Sequence, residues 1–567
     1  MKRIQFLKLE NVPRSQARNW LKLFCLIIAC SLAARQPVVA HVGSPGVIVQ
    51  KQAGKYRVLV NVLPPDVVPG TARVTVFVES GRVRSLGARP VYFRSGDEGA
   101  PSPDELTPVA GQPNQFEGIV WLMSSGSSSI ELEINGPDGQ QKVVVPVVAV
   151  ATAQRDLPVG TGVVLSILGL LLMAILVTTI GASLSDATLK PGQPVPANFR
   201  RKRLLGMGIA TVLLALMLMG GRTWWDSLAD EYRSENLYRA LPIRASVGAR
   251  AGQQVLSIQV DTADWKRNTR PLSLVVPDHG KLMHVFLVRT PGLDAFAHLH
   301  PARRDTLNYE STLPELPAGK YLLYADVVYR SGFAETLTDT VDVPAASSAA
   351  GTRMDPDDSW IVTNPTDKAT FNAPPETANF AICGKPGVKT KLPDGSTVIW
   401  EEKPNEALEA GKLYTLRFTV ADPQGQPAVL EPYLGMAGHA AILRDDGSVY
   451  IHLHPVGTYS MVAEEMLVNR IADTLRTFHN PDVKRFRDSI DTYLSTLKKL
   501  PESERNARLM KGMPGMSHTM NGQTHNNRVE FPYAFPKAGS YRVWVQVKRA
   551  GRVLTGVFDA EVKESLL

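Results

Sequence analysis

At 567 residues the chain is too long for one hydrophobic core, so three or four units of roughly 100–200 residues are expected. Apolar residues at 44%, charged residues at 20% and aromatics at 7% exclude a disordered or fibrous chain, and 44 Gly with 41 Pro point to short strands and many turns. The formal charge of +8 is local: Lys2, Arg3, Lys8, Arg14, Arg18, Lys22 and Arg35 against Glu10 carry +6 of it within residues 1–40. The remaining +2 is too little for a phosphate-binding face, which excludes nucleic acid as a partner.

Residues 1–40 read as an export signal, with a basic start, an apolar run from Leu23 to Ala34, and Val38-Val39-Ala40 before a cut at His41. An uncleaved anchor is the alternative. Two further segments read as membrane spans: 157–185, without a charge, and 204–221, also uncharged. The loop between them, 186–203, ends in Arg200-Arg201-Lys202-Arg203, which marks the cytoplasmic side, and Trp224-Trp225 follow the second span at the opposite headgroup layer. The expected location is a bacterial inner membrane, with the bulk of the chain in the periplasm and the lipid bilayer as a partner. Cys25 and Cys30 fall in the signal, so Cys383 stands alone and no intrachain disulfide is expected in the mature chain.

The exported parts read as mainly β: three immunoglobulin-like β-sandwich modules, with a two-helix transmembrane hairpin and a helical insertion in the last module. Residues 41–156 hold alternating runs such as Tyr56–Val62 and Ala72–Val78 separated by turn residues. A second module is expected over 222–345, a linker over 346–375, and a third module over 376–567. The last two share an internal repeat. His284, then His298-Leu299-His300-Pro301, is matched by His439, then His452-Leu453-His454-Pro455, and each module closes on an Ala-Gly-x-Tyr hairpin at Ala318 or Ala538. The insertion at 462–508 has an amphipathic helical pattern.

Residues two apart on a strand share a face, so His298 pairs with His300 and His452 with His454. A two-residue Asp446-Gly447 turn makes positions summing to 893 oppose one another, which sets His439 beside His454. In the second module a loop of odd length puts His284 on the face of His298 and His300. Three converging imidazoles are a usual first shell for Cu(II) or Zn. Asp278 and His279, just ahead, are candidate outer groups. Met283, Met436 and Met461 flank the triads, and Met510, Met513, Met516, His518 and Met520 fall in a segment rich in Gly, Pro, Ser and Asn, read as a loop. Neutral thioethers suit Cu(I). Cleavage after Ala40 would expose His41 as an amine-plus-imidazole chelator. The chain lacks H-E-x-x-H, G-x-S-x-G and a phosphate loop.

The His-x-His-Pro strand pairs, the closing hairpins and the Met/His segment resemble the periplasmic YtkA-like and CopC-like immunoglobulin-type copper proteins. The resemblance covers the second and third modules. It implies small β-sandwiches that bind or pass on copper without turning over a substrate. The sequence thus points to a non-enzymatic, membrane-tethered copper-handling protein, with Cu(II) on the His triads, Cu(I) on the Met segment, and a copper pump, oxidase or other envelope protein as partner. Two other readings stand beside it: a structural or interaction protein of the envelope with no metal role, and a metal-dependent oxidoreductase.

Overall fold

A computed structural model describes residues 41–42, 46–154, 157–185, 189–190, 192–194, 196–261, 274–345, 354–366, 380–402, 407–473, 478–511 and 527–565. The expected export signal at 1–40 lies outside them. The fold is mainly β, 45% strand against 24% helix.

The first module contains strands β1 (Val47–Ala53), β2 (Tyr56–Leu63), β3 (Gly70–Ser80), β4 (Ser85–Tyr92), β5 (Asp104–Val109), β6 (Gln112–Leu122), β7 (Gly126–Gly136) and β8 (Gly139–Ala149). They run in the order β1-β2-β3-β6-β5-β4-β7-β8, with β5 pairing both neighbours and joining the two halves. Alternate Val, Ile and Leu side chains of these strands, such as Val58, Val60, Val74, Val76, Ile130 and Val145, fill one core.

Helices α1 (Val159–Ser185) and α2 (Ala197–Glu231) are long and apolar enough to cross a membrane. Their Leu, Ile and Met side chains, Leu165, Ile175, Leu213 and Met217 among them, are exposed rather than folded into a protein core. The second helix exceeds the expected 204–221 at both ends. It starts at Ala197, so Arg200–Arg203 lie in its first turns and not in a loop, because Arg, Lys and Leu are good helix formers and Pro196 precedes the helix start.

The second module has a sheet of β9 (Ile243–Arg250), β10 (Gln253–Val260), β14 (Ala302–Arg303) and β15 (Asn308–Thr312). Its other sheet is formed by β11 (Val275–Val276), β12 (His284–Arg289), β13 (Ala295–Leu299), β16 (Gly319–Tyr329), β17 (Ala334–Val343), β18 (Ser359–Thr363) and β19 (Phe380–Ala381). The order there is β11-β16-β12-β13-β18-β19, with β17 on the other side of β16. The expected linker at 346–375 therefore contributes a strand: Ser359 pairs with His298 at the start of the β13–β18 ladder. Trp, Ile, Val and Thr in β18 are strand formers, and their packing outweighs the Pro-, Ser- and Ala-rich flanks.

The third module pairs β20 (Lys389–Lys391), β21 (Thr397–Trp400), β23 (Leu413–Ala421) and β26 (Arg528–Ala534) in one sheet. In the other, β25 (Val449–Leu453), β24 (His439–Arg444), β27 (Gly539–Arg549), β28 (Arg552–Lys563) and β22 (Leu408–Glu409) run in that order. The insertion forms α3 (Met461–Ala472), α4 (Val483–Lys499) and α5 (Glu502–Lys511). Ile490 and Leu494 of α4 pack on the second module's core, and Phe486 joins Val276 and Val328.

The two His-bearing sheets face each other. Val285 and Leu287 point into the second module's core, while Phe286 and Val288 point across to Ala441 and Leu443 of the third. Strands β12 and β24 are thus buried on both faces, which explains their continuous apolar runs. Between the sheets, Tyr324 stacks on Tyr450 at 4.1 Å between ring centroids and Phe296 on Trp544 at 4.8 Å.

The first module docks on the turn after His454. Gln50 N donates to Val456 O (2.8 Å), Thr458 N donates to Ile48 O (2.9 Å), and Lys51 Nζ lies 2.6 Å from Glu464 with both side chains buried. Gly457 has φ +145, and a Cβ there would sit 1.9 Å from Ile48 O. Gly457→Ala is expected to cost about 2–3 kcal/mol through strain and lost docking, read as a lower Tm. His454 and Gly457 exchange backbone hydrogen bonds, so the same change should also weaken metal retention.

Candidate metal centre

The hairpin registers bring the imidazoles together. Strands β24 and β25 pair Ala440 with Leu453 and Ala441 with His452, a constant sum of 893, with Asp446-Gly447 at the turn. Strands β12 and β13 pair Phe286 with His298, and the loop from Thr290 to Asp294 has odd length. In each hairpin the three histidines share the face turned toward the other module.

What results is a single cluster. His279, His284, His298, His300, His439, His452 and His454, seven of the chain's eleven histidines, meet between the second and third modules. His284 Nδ1 and His298 Nε2 are 3.2 Å apart. Two nitrogens on one tetrahedral ion, each about 2.0 Å from it, are separated by about 3.3 Å, so this spacing suits a shared ion. Two all-histidine groups have ligand atoms mutually within 4.8 Å: His284, His298 and His300, and separately His279, His439 and His454.

The second grouping departs from the sequence expectation. His279, taken there as an outer group, stands where His452 was expected, and it comes from the other module. It sits in the Asp278-His279-Gly280 turn with φ +52, a left-handed conformation that costs a non-glycine residue energy and recurs at functional sites. Strand periodicity carries no information on a turn residue, which is why spacing did not place it. His452 is still in the cluster, its ring 4.6 Å from His454 and 5.4 Å from His439.

Orienting groups cross the interface reciprocally. His298 Nδ1 is 2.9 Å from Gln546 Oε1 of the third module, and His452 Nδ1 is 3.4 Å from Asp326 Oδ2 of the second. Gln546 and Asp326 occupy equivalent places, each paired in its own sheet with the first histidine of the hairpin, His439 or His284. His300 Nδ1 lies 2.8 Å from Asp358 Oδ1, His454 Nδ1 2.8 Å from Tyr459 O, and His284 Nε2 3.2 Å from Asp278 O. Each of these contacts fixes one ring nitrogen and leaves the other for an ion.

Most of the cluster's remaining ring nitrogens lack partners. His300 Nε2, His452 Nε2 and His454 Nε2, with both nitrogens of His279 and His439, are buried with no hydrogen-bond partner. Buried polar atoms without partners cost free energy and are rare in native proteins. A transition-metal ion would satisfy them, so the donor set fits one. Burial pushes His284 and His300 down to about 3 and His454 to about 4, and it holds His298, His439 and His452 well below the ordinary range. All are neutral near pH 7, the form that binds metal.

A third group, His300 with Asp355 and Asp358, is differently built. Lys281 Nζ lies 2.6 Å from Asp355 and 3.0 Å from the neighbouring Asp357, so Asp355 already holds a cation. Burial pushes Asp358 up to about 8 and Asp326 up to about 7, leaving Asp358 largely and Asp326 about half protonated at neutral pH. They act as outer partners of the imidazoles.

The sulfur ligands expected from sequence fare differently. Met436 is fully buried in the apolar cluster with Tyr459, Met461 and the first module's core, where it fills space. Met283 is likewise a core residue of the second module. Met510 lies within α5, so the segment expected to be a loop begins as a helix: Glu, Ala, Arg, Leu and Met before Gly512 are good helix formers. Met513, Met516, His518 and Met520 lie outside the described residues. The Cys383 thiol is pushed up by burial and is no candidate nucleophile.

Gln546→Leu removes the acceptor that orients His298. It is expected to weaken metal binding 10–100-fold, measured by competition against a chromogenic chelator, with the fold retained.

A family model described as a domain of unknown function (DUF8832) matches residues 390–474, a segment that includes His439, His452 and His454. No curated protein matches the chain. Among solved structures, the chain is similar to a tetra-tandem repeat in the extending region of a large adhesion protein (8% identity, 88% of this chain and 71% of that one, TM-score 0.13). It is also similar to dimeric latent PorU from Porphyromonas gingivalis (8%, 92% and 34%, TM-score 0.14) and to the I-band fragment I67-I69 from titin (6%, 88% and 94%, TM-score 0.14). At those scores the likenesses carry no functional argument.

Proposed function

We propose that this chain is a membrane-tethered copper-handling protein that captures or delivers the metal in the periplasm and does not itself turn over a substrate. The observation that carries the reading is the set of buried imidazole nitrogens without partners, gathered from two modules around shared points. An all-imidazole donor set suits borderline ions, and the usual affinity order places Cu(II) above Zn. Two apolar helices support a tether, which would raise the effective concentration of the site near a membrane partner such as a pump or oxidase.

The test is metal analysis of the full chain purified in detergent, after exposure to Cu(II), to Cu(I) under reducing conditions, and to Zn. Retention of about two copper ions per chain against equimolar Zn is the expected outcome. Copper no higher than in a variant carrying Gln at all seven positions would sink the reading and favour an interaction protein.

A further inference from the structure

Sequence spacing assigns one triad to each module, which describes two independent sites. The geometry assigns something else. We propose that the seven imidazoles form one dinuclear centre, in which two copper ions are held close enough to interact magnetically and the second and third modules complete it jointly. The inference rests on the copper-binding reading above.

Three observations carry it. First, the groups lie side by side: ring centroids of His279 and His284 are 6.2 Å apart and those of His298 and His439 6.4 Å, with His452 between them at 5.5 Å from His284 and 5.7 Å from His298. Ions about 2 Å from their nitrogens in neighbouring groups then lie roughly 4–7 Å from one another. Second, the group of His439 and His454 is finished by His279 of the second module, so the third module alone holds an incomplete set. Third, the orienting contacts are exchanged across the interface, Gln546 to His298 and Asp326 to His452. Neither module positions its own middle histidine. Asp278, buried with Oδ1 3.4 Å from His279 Nε2, supplies negative charge on the same turn.

Electron paramagnetic resonance of the full chain in detergent, loaded with Cu(II), tests the pair. Two copper ions per chain are expected, with an integrated signal well below two spins or a half-field transition. His279→Asn, chosen because Asn accepts the left-handed backbone, should hold one ion per chain with a full one-spin signal and no half-field line. Two ions that integrate to two ordinary spins would overturn the dinuclear centre and leave copper binding intact, and so would unchanged loading of the Asn variant. Absence of copper from the wild-type chain would overturn the functional reading itself.

Discussion

Replacing His439 by Phe is expected to raise or preserve the thermal stability of the metal-free protein while removing the part of its stabilisation by copper that comes from the site His439 shares with His279 and His454. His439 is fully buried and both of its ring nitrogens lack partners. It therefore carries a desolvation cost of about 1–3 kcal/mol that an apolar ring of similar shape relieves. The neighbours are compatible with such a ring, since Tyr433 lies 5.0 Å from His439 edge-on. With copper at about a hundred times its dissociation constant, each filled site should add about 2.7 kcal/mol from ligand linkage, and the variant should lose the share of the site that His439 completes with His279 and His454. A histidine kept for structure would behave oppositely: its replacement would lower the melting temperature of the metal-free protein. Melting curves with and without copper separate the two cases.

Acidification should open the metal-free protein between about pH 6.5 and 5. The buried imidazoles of His284, His300 and His454 have folded-state values near 3, 3 and 4, and the others are also held low, mainly by burial. In the unfolded chain they titrate near the ordinary 6.5. A depressed folded value means that the unfolded state binds more protons below pH 6.5, so stability present above that pH is lost as pH falls. Asp326 and Asp358 act in the opposite sense, because their carboxyls are pushed up to about 7 and about 8 and keep a proton in the fold. Seven imidazoles against two carboxyls leave a net proton uptake on unfolding below pH 6.5, so stability falls as the pH drops through that range. Trp544, stacked on Phe296 between the modules, provides a fluorescence reporter. Bound copper competes with protons and should shift the transition to lower pH. A melting temperature that stays flat from pH 7 to 5 would rule the mechanism out.

Much of this protein is local and periodic, and those parts were legible. The alternation in Tyr56–Val62 and Ala72–Val78 gives strands of the first module, and the charge-free run before Ser185 gives a helix. The sum of 893 follows from Asp446-Gly447 alone, because turn geometry fixes register over the next few pairs. The failures share a cause. The strand at Ser359–Thr363 lay hidden in a segment read by composition, and Met436 was read by proximity in sequence when its neighbours in space are apolar.

Sequence by itself determined which residues could share a face: His298 with His300, His452 with His454, and the first histidine of each hairpin beside them. Hydrogen-bond register and the two-residue side-chain period act over short distances along the chain, so spacing is enough. Only the tertiary structure decided that the two faces are turned toward each other, that His279 enters from a turn, and that Gln546 and Asp326 orient histidines of the opposite module. Those contacts link residues as far apart as 248 positions. They arise from burying apolar side chains such as Phe286, Tyr450 and Trp544 between two sheets, and that packing is set by area and shape in three dimensions, which spacing along a chain does not encode.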